Sequence, residues 1–204
     1  MLGDMLSPLR IVAVVLTLVA AGAAAYLAGR GLAPPPERVG TVLENPQDAS
    51  DLELTLAADG SRIVFGDLAA RSTWTLVFFG FVDCPDVCPL TMAGLAETYR
   101  DLGEPEALQV VMVTVDPEQD DAERLHRYVS AFHPAFVGLG GSSEDIAAAA
   151  KRFFIGYSGT GTDVIHTEAV GLVDASGRLR AVYGQGKVGA IGNDLVDLLA
   201  GERL

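Results

Sequence analysis

The chain has 204 residues, half of them hydrophobic, and a formal net charge of −13 at neutral pH. This length allows one domain with a full hydrophobic core and a short appendage. The acidic balance argues against nucleic acid as a partner, since binding to the phosphate backbone requires a basic surface. It suits a soluble domain that meets cations or a basic partner, or one whose acidic surface is merely solvated.

Residues 1–30 contain an uncharged apolar run from Ile11 to Gly29, bracketed by Arg10 and Arg30. About 20 such residues span a bilayer as a helix, so this segment is predicted to be a membrane anchor. The alternative is a signal peptide, because Ala23 to Ala25 offer the small residues of a cleavage site, although the apolar run is longer than usual for one. Either interpretation sends the rest of the chain across the membrane.

A proline-rich linker is predicted over residues 31–51, which contain Ala33-Pro34-Pro35-Pro36 and few clustered apolar residues. Such a composition favours a stiff spacer, partly in the polyproline II conformation. A domain over residues 52–204 follows. It opens with a β-hairpin, because Leu52 to Leu56 alternates apolar and polar residues, Asp59-Gly60 is a turn signal, and Arg62 to Phe65 can return as the partner strand.

The central strand is predicted from Trp74 to Val82, where aromatic and β-branched residues without any charge indicate burial on both faces of a sheet. A helix through Thr91 to Leu102 follows, with Pro89 in its first turn. A second apolar strand, Leu108 to Val115, precedes an amphipathic helix from Asp120 to Phe132. This order of elements implies a parallel pair of strands joined by a helical crossover.

The remaining elements resemble the second half of a thioredoxin-like domain. They are a helix from Ser142 or Ser143 to about Phe154, a loop from Gly156 to Thr162, a hairpin of Ala169 to Val173 with Leu179 to Tyr183, and a last helix from Ile191 to Leu199. The order βαβ and then ββα, with a hairpin in front, predicts a mixed central sheet with helices on both faces.

Cys84 and Cys88 are the only cysteines of the sequence. They follow the central strand, at the end of an α/β sheet where ligands bind. A thiol at this place meets the positive end of a helix dipole, which favours the thiolate over the thiol. Two sulfurs within reach of each other can close a disulfide or bind a soft metal ion, and the spacing does not decide between these uses.

His166 lies directly before a predicted strand and after a glycine-rich loop, where folds present ligands. Two thiolates and an imidazole suit copper, since thiolates favour Cu(I) and imidazole also accepts Cu(II). Zinc would accept the same three ligands, with water in a fourth position. A lone histidine is more often structural than a ligand, and His126 and His133 are weaker candidates than His166.

Two features weaken an interpretation as a general disulfide exchanger. Three residues separate the cysteines instead of the usual two. No proline follows Pro134, so the cis-proline that docks substrates in such enzymes has no counterpart near His166. Asp116 and Asp120 could orient or polarise the site, but acidic residues after a strand are more often helix N-terminal charges, and that interpretation is favoured here.

Several blocks of sequence carry a family resemblance: Phe78-Phe79-Gly80-Phe81, Cys84-Pro85-Asp86-Val87-Cys88-Pro89, Val115-Asp116-Pro117 with Asp120, and His166. From about Leu52 to Leu199 the chain resembles the Sco/SenC family of copper-binding assembly proteins of cytochrome c oxidase. It departs from the family pattern at Val82-Asp83, where threonine and histidine are usual, and at Ile165, where an aspartate often precedes the histidine. The loop from Tyr157 to Val164 is also short.

The resemblance implies a copper chaperone that binds Cu(I) or Cu(II) through Cys84, Cys88 and His166 and helps to build the copper A centre. Its implied partners are subunit II of cytochrome c oxidase and another periplasmic copper carrier. It implies metal handling without catalytic turnover. The alternatives are a thiol–disulfide oxidoreductase acting on the cysteines of subunit II, with Cys84 and Cys88 as its redox disulfide, and a peroxide or redox sensor.

The resemblance also implies a location. The expected arrangement is a single-pass anchor in the inner (cytoplasmic) membrane with the soluble domain in the periplasm, and the mitochondrial inner membrane is the alternative.

Overall fold

A computed structural model describes residues 8–32, 38–160, 164–202 and 204, and the chain divides into two units, residues 1–37 and residues 38–204. In the first unit, helix α1 (Pro8–Leu32) includes the apolar run from Ile11 to Gly29. Within the described residues, no helix combines the length and the hydropathy that crossing a membrane requires. The predicted anchor is therefore not confirmed and stays a prediction, and its residues 1–7 lie outside the described part.

The second unit is built on a mixed sheet. Its strands, with two short ones that form a separate pair, are β1 (Thr41–Asp48), β2 (Glu53–Leu56), β3 (Arg62–Val64), β4 (Trp74–Gly80), β5 (Leu108–Thr114), β6 (Val137–Gly140), β7 (Tyr157–Ser158), β8 (Ile165–His166), β9 (Ala169–Asp174) and β10 (Arg178–Gly184). The eight strands of the main sheet lie in the order β1-β10-β9-β4-β5-β6-β2-β3. Only β4–β5 and β5–β6 pair in parallel among these neighbours, while β7 and β8 pair antiparallel. The predicted mixed α/β sheet is confirmed.

Five helices accompany the sheet in the described part of this unit: α2 (Phe65–Ala69), α3 (Val87–Asp101), α4 (Ala122–Phe132), α5 (Ser143–Arg152) and α6 (Ile191–Leu199), the last preceded by a 3₁₀ turn at Val188–Ala190. Sequence signals explain two of the helix starts. Ser142 and Asp145 form a reciprocal capping box at the start of α5, and the Asp121 side chain accepts a hydrogen bond from the Arg124 amide at the start of α4.

The core is centred on β4, whose residues are all buried. Leu76, Val77, Phe78 and Phe79 are each no more than 1 % exposed. Since β4 has a neighbour on both edges and carries no polar face, its apolar run is explained by burial on both sides of the sheet, as predicted.

Two strands of the main sheet differ from the sequence-based expectation, and the short pair β7–β8 lies where a loop and the residue before a strand are predicted. Thr41–Asp48 was expected to be part of a linker but forms the edge strand β1, which pairs with β10 at both of its ends and is interrupted between Val42 and Gln47. Pro46 falls in this interruption, and an edge strand tolerates a proline because its outer amides need no partner in the sheet. β6 was not predicted, since it is short and half glycine. The triple proline at 34–36 lies outside the described residues.

Asp194 fastens the start of the second unit to its end. This side chain is 3 % exposed, and its carboxylate accepts hydrogen bonds from the amides of Val39 and Gly40, both at 3.0 Å, and from the Tyr183 hydroxyl at 3.1 Å. The segment before β1 is thereby joined to α6 and β10. Hydrogen bonds to a buried charged acceptor are among the stronger ones in proteins.

Replacing Asp194 by alanine should lower the free energy of unfolding by about 2–4 kcal/mol, because two amides and a phenol would lose their buried acceptor. Urea denaturation followed by circular dichroism measures this loss. Asp197→Ala is the matched control: its carboxylate is 38 % exposed and pairs with Arg38, so its loss should cost about 1 kcal/mol or less. Equal effects of the two substitutions would contradict the account.

Candidate metal centre

The two cysteines lie where the chain leaves β4 and enters α3. Cys84 is half-buried in the connection, and Cys88 is fully buried in the first turn of the helix. Gly80, the last residue of β4, makes this placement possible: a Cβ atom there would lie 3.0 Å from the Cys88 Sγ and 2.7 Å from the Phe78 ring. The missing side chain therefore lets the sulfur pack directly against the end of the central strand.

His166 approaches the sulfurs from the small β7–β8 sheet. Its ring lies edge-on to Phe78 and Phe81, with centroids 6.2 and 6.0 Å away. Its Nδ1 lies 3.1 Å from the Thr167 carbonyl oxygen, and because a carbonyl can only accept, Nδ1 carries the proton. In the neutral imidazole Nε2 is then the nitrogen without a proton; it lies 3.6 Å from the Cys88 Sγ and can offer its lone pair to a metal ion.

The ligand atoms of Cys84, Cys88 and His166 all lie within 4.8 Å of one another. With metal–ligand bonds of about 2.0–2.3 Å, three ligands spaced around one ion are about 3.5–4.0 Å apart, so the ligand atoms would close by no more than about 1.3 Å on binding. A set of two sulfurs and one imidazole suits copper, and zinc would also accept it. The residues present therefore fit the predicted copper ion. The distances alone do not distinguish copper from zinc.

The electrostatics of the sulfurs differ from the expectation that the helix dipole would favour the Cys88 thiolate. Burial raises the pKa of the Cys88 thiol, and the neighbouring Cys84 sulfur acts in the same direction. The Cys88 amide, in the first turn of α3, donates a hydrogen bond of 3.3 Å to the Cys84 Sγ. The helix N-terminus therefore contacts the sulfur of Cys84 and not that of Cys88. A cation between the sulfurs would favour both thiolates, because its charge offsets the cost of their burial.

Asp120 holds the connection that carries the cysteines. It is 5 % exposed, and its Oδ2 accepts hydrogen bonds from the Val82 amide at 3.0 Å and the Thr114 hydroxyl at 2.6 Å. The favoured interpretation of Asp120 as a helix N-terminal charge is therefore wrong, since Asp121 caps α4. Asp120 instead ties the residues before Cys84 to the end of β5. The sequence places the helix start at Asp120, whereas α4 begins at Ala122, so no local signal pointed to this role.

The departures from the family pattern before Cys84 have partners in the same region. The Val82 amide bonds to Asp120, and Asp83 forms an ion pair with Arg124 of α4. Asp116 is buried close by, and its amide donates to the Thr114 hydroxyl. The connection is thus held by the start of α4 and the end of β5 together.

The other two histidines lie elsewhere. His126 is exposed on α4 with its Nδ1 3.5 Å from the Ser130 hydroxyl, while His133 is buried between the rings of Tyr99 and Phe136. In the described part of the chain, the one group of three or more ligating side chains close enough for a metal is that of the two cysteines and His166. The lower weight given to His126 and His133 agrees with these positions.

The chain is similar in sequence to one protein family. A family model described as SCO1/SenC matches residues 56–194. The mouse protein named "Protein SCO2 homolog, mitochondrial" is 38% identical over 126 residues, which are 57% of this chain and 49% of the mouse protein. The chain spans about half the length of the mammalian relatives that it matches.

Solved structures give the same picture. Apo Sco1 from Thermus thermophilus has 37% sequence identity and a TM-score of 0.68, over 80% of this chain and 96% of that one. Arabidopsis thaliana ScoI with copper bound has 28% identity and a TM-score of 0.67, over 81% of this chain and 100% of that one. These likenesses, with the mixed sheet, support the predicted thioredoxin-like fold in its Sco form.

Substitutions of Asp120 separate its hydrogen bonds from its charge. Asp120→Ala should lower the free energy of unfolding by about 2 kcal/mol, because the Val82 amide and the Thr114 hydroxyl lose their acceptor. Asp120→Asn keeps one oxygen that can accept both bonds, since both end on Oδ2.

The difference in stability between Asp120→Asn and the wild type should change with pH in a defined direction. Burial raises the pKa of Asp120 above 3.8, so as pH rises the unfolded chain ionises first and the wild type loses stability. The stability of Asp120→Asn relative to wild type should therefore increase with pH and level off above the raised pKa. Urea denaturation at intervals from about pH 3 to about pH 7 tests this, and a difference that shrinks as pH rises would contradict it.

Proposed function

Because this chain belongs to the SCO1/SenC family, we propose that it is a copper chaperone that holds copper between Cys84, Cys88 and His166 and delivers it during cytochrome c oxidase assembly. The observation that carries the proposal is the convergence of two sulfurs and one imidazole nitrogen within 4.8 Å. The copper-bound state named for the Arabidopsis relative supports copper over zinc.

The construction of the site suits a carrier that must release its cargo. The sulfurs are fixed by the main fold, since Cys88 packs against β4 and the Cys84 connection bonds to Asp120 through Val82. The imidazole belongs to a two-residue strand outside the main sheet. His166 can therefore withdraw without disturbing the core, which lowers the coordination number and lets a partner's ligands take over.

A cleft gives a partner access to the centre. Cys84 and His166 line it together with Pro85, Asp86 and Ile165, and the Ile165 side chain is 75 % exposed. We assign this opening to the acceptor, the copper A domain of oxidase subunit II, and propose a second periplasmic copper carrier as the donor. Oxidation of the cysteines to a disulfide would abolish binding and so gate the site.

Thiol–disulfide exchange on the cysteines of subunit II is the second candidate function. It is favoured by the two free sulfurs, which lie close together, and by the position of Cys84 in the lining of the cleft. The third hypothesis, a peroxide sensor, is disfavoured for Cys88, because burial raises the pKa of its thiol and a sensor cysteine needs a low pKa and exposure.

Residues 1–30 are proposed to anchor the domain in the inner membrane, with residues 38–204 in the periplasm, on the ground of the uncharged run from Ile11 to Gly29. The full chain should remain in the membrane pellet after alkaline carbonate extraction, whereas a chain that begins at Arg38 with a cleavable export signal should be recovered in the soluble periplasmic fraction. Recovery of the full chain in the soluble fraction would contradict the anchor.

Fully reduced protein should bind about one copper ion per chain and, with Cu(II), should show a sulfur-to-copper charge-transfer band. His166→Ala should weaken copper binding by at least about tenfold while preserving the fold, because one ligand is lost. Cys84→Ser and Cys88→Ser should each remove most of the band. Copper titration followed by absorption, with Cu(I) affinity measured by competition against a chromogenic chelator, gives these quantities.

His126→Ala is the control, because His126 is exposed on α4 and lies outside the site. It should bind copper as the wild type does. If His166→Ala binds copper as tightly as His126→Ala, the chaperone proposal fails. If His166→Ala also reduces a disulfide in a subunit II peptide at the wild-type rate, and the serine variants do not, the second candidate function takes its place.

A further inference from the structure

Glu168 contributes a carboxylate to the cleft that opens onto the metal centre. It lines this cleft together with Cys84 and His166 and is half-buried. With the residues that the structure describes, its side chain forms no hydrogen bond and no ion pair. Taking a carboxylate out of water costs free energy unless a hydrogen-bond donor or a cation offsets the loss. Glu168 is therefore available to a cation that enters the cleft.

The backbone places Glu168 on the same side of the chain as His166. Exposure alternates along this segment, since Ile165 and Thr167 are exposed whereas His166 and Glu168 are half-buried. This alternation is typical of an extended chain, in which the side chains of residues i and i+2 lie on one face. The Thr167 amide donates a hydrogen bond of 2.8 Å to the Gly156 carbonyl oxygen, which holds the chain between His166 and Glu168 in place.

The charges around the cleft are all of one sign. Its lining contains the carboxylates of Asp86 and Glu168 and, within the described part of the chain, no lysine or arginine. Such a cleft favours a cation over an anion. The two carboxylates differ in their surroundings, because Asp86 is exposed to solvent whereas Glu168 is half-buried. Glu168 therefore has the stronger need of a counter-charge.

Glu168 also has room to turn toward the centre. It lines a second, smaller cavity together with Thr91 and Gln185, so its side chain lies between two open spaces. Its carboxylate is not among the ligand atoms that lie within 4.8 Å of one another. A glutamate has three side-chain torsions, and a change of rotamer moves its carboxylate without moving the backbone.

We propose that Glu168 is an accessory ligand of the copper centre that binds Cu(II) and not Cu(I), by adding a carboxylate oxygen to the two sulfurs and the imidazole. The inference rests on the proposed copper binding. Cu(II) favours tetragonal sites that include nitrogen and oxygen ligands, whereas soft thiolates select Cu(I). Glu168 therefore stabilises one oxidation state of the bound copper and leaves the other unchanged.

Glu168→Gln tests this because it removes the charge and keeps the size of the side chain. Its Cu(II) affinity should fall about tenfold, while its Cu(I) affinity, measured by competition against a chromogenic chelator, should equal that of the wild type. The midpoint potential of the bound copper should then rise by about 59 mV, which corresponds to a factor of ten for a one-electron couple. An unchanged Cu(II) affinity, or an equal loss for Cu(I) and Cu(II), would overturn the inference.

Electron paramagnetic resonance of the Cu(II) form reports on the ligand directly. In water enriched in oxygen-17, a water molecule bound to Cu(II) broadens the lines, because the nucleus of its oxygen is magnetic. The lines of the wild type should stay sharp, since the Glu168 carboxylate occupies the position that water would take, whereas those of Glu168→Gln should broaden. Equal line widths in the two proteins would contradict ligation by Glu168.

Asp86→Asn is the comparison that separates ligation from charge, because it removes the other carboxylate of the same cleft. Its lines should stay as sharp as those of the wild type, and its Cu(II) affinity should fall less than that of Glu168→Gln. Equal losses in the two variants would overturn the inference in favour of a general effect of charge. If Glu168→Gln matches the wild type while copper binding still requires Cys84, Cys88 and His166, this inference fails and the proposed function stands. Failure of the wild type to bind copper would overturn both.

Discussion

The packing of the Cys88 sulfur against the end of β4 is the constraint on which the candidate metal centre depends. Cys88 is completely buried, and it can pack against β4 only because Gly80 has no side chain there. The position of the buried, uncharged strand β4 determines where the chain leaves the core, and the connection from β4 to α3 places Cys84 beside Cys88 there. The place of the candidate metal centre is therefore a consequence of how the core ends, since sulfur is a ligand atom that tolerates such burial.

The three candidate ligand residues differ in how firmly they are held. The Val82 amide of the cysteine connection bonds to Asp120, which lies in the segment between β5 and α4. Asp83 of the same connection pairs with Arg124, which lies in the first turn of α4. His166 lies on a small separate sheet and touches the core through its ring contacts with Phe78 and Phe81. Two fixed sulfurs and one less constrained imidazole combine retention of a soft cation with its release, as the proposed function demands.

Much of this could be predicted from the sequence, because the informative signals were local. The apolar run of β4, the turn signals of both hairpins and the periodicity of α4 each follow from residues that are neighbours in the chain. The features that were missed depend on distant partners. β1 contains a proline and is defined only by its pairing with β10, and β6 is defined by its place between β5 and β2. Asp120 likewise acquires its importance from groups that the fold brings to it, and the effect of burial on the Cys88 thiol is invisible without the core around it.

X-ray absorption at the copper edge tests the central claim most directly, because it identifies the atoms bound to the metal. With Cu(I) loaded into the full reduced chain, the account predicts a first shell of two sulfur scatterers and one nitrogen scatterer, with the multiple-scattering pattern of an imidazole ring that disappears in His166→Ala. A shell that contains only oxygen and nitrogen, or an imidazole pattern that persists in His166→Ala, would contradict it.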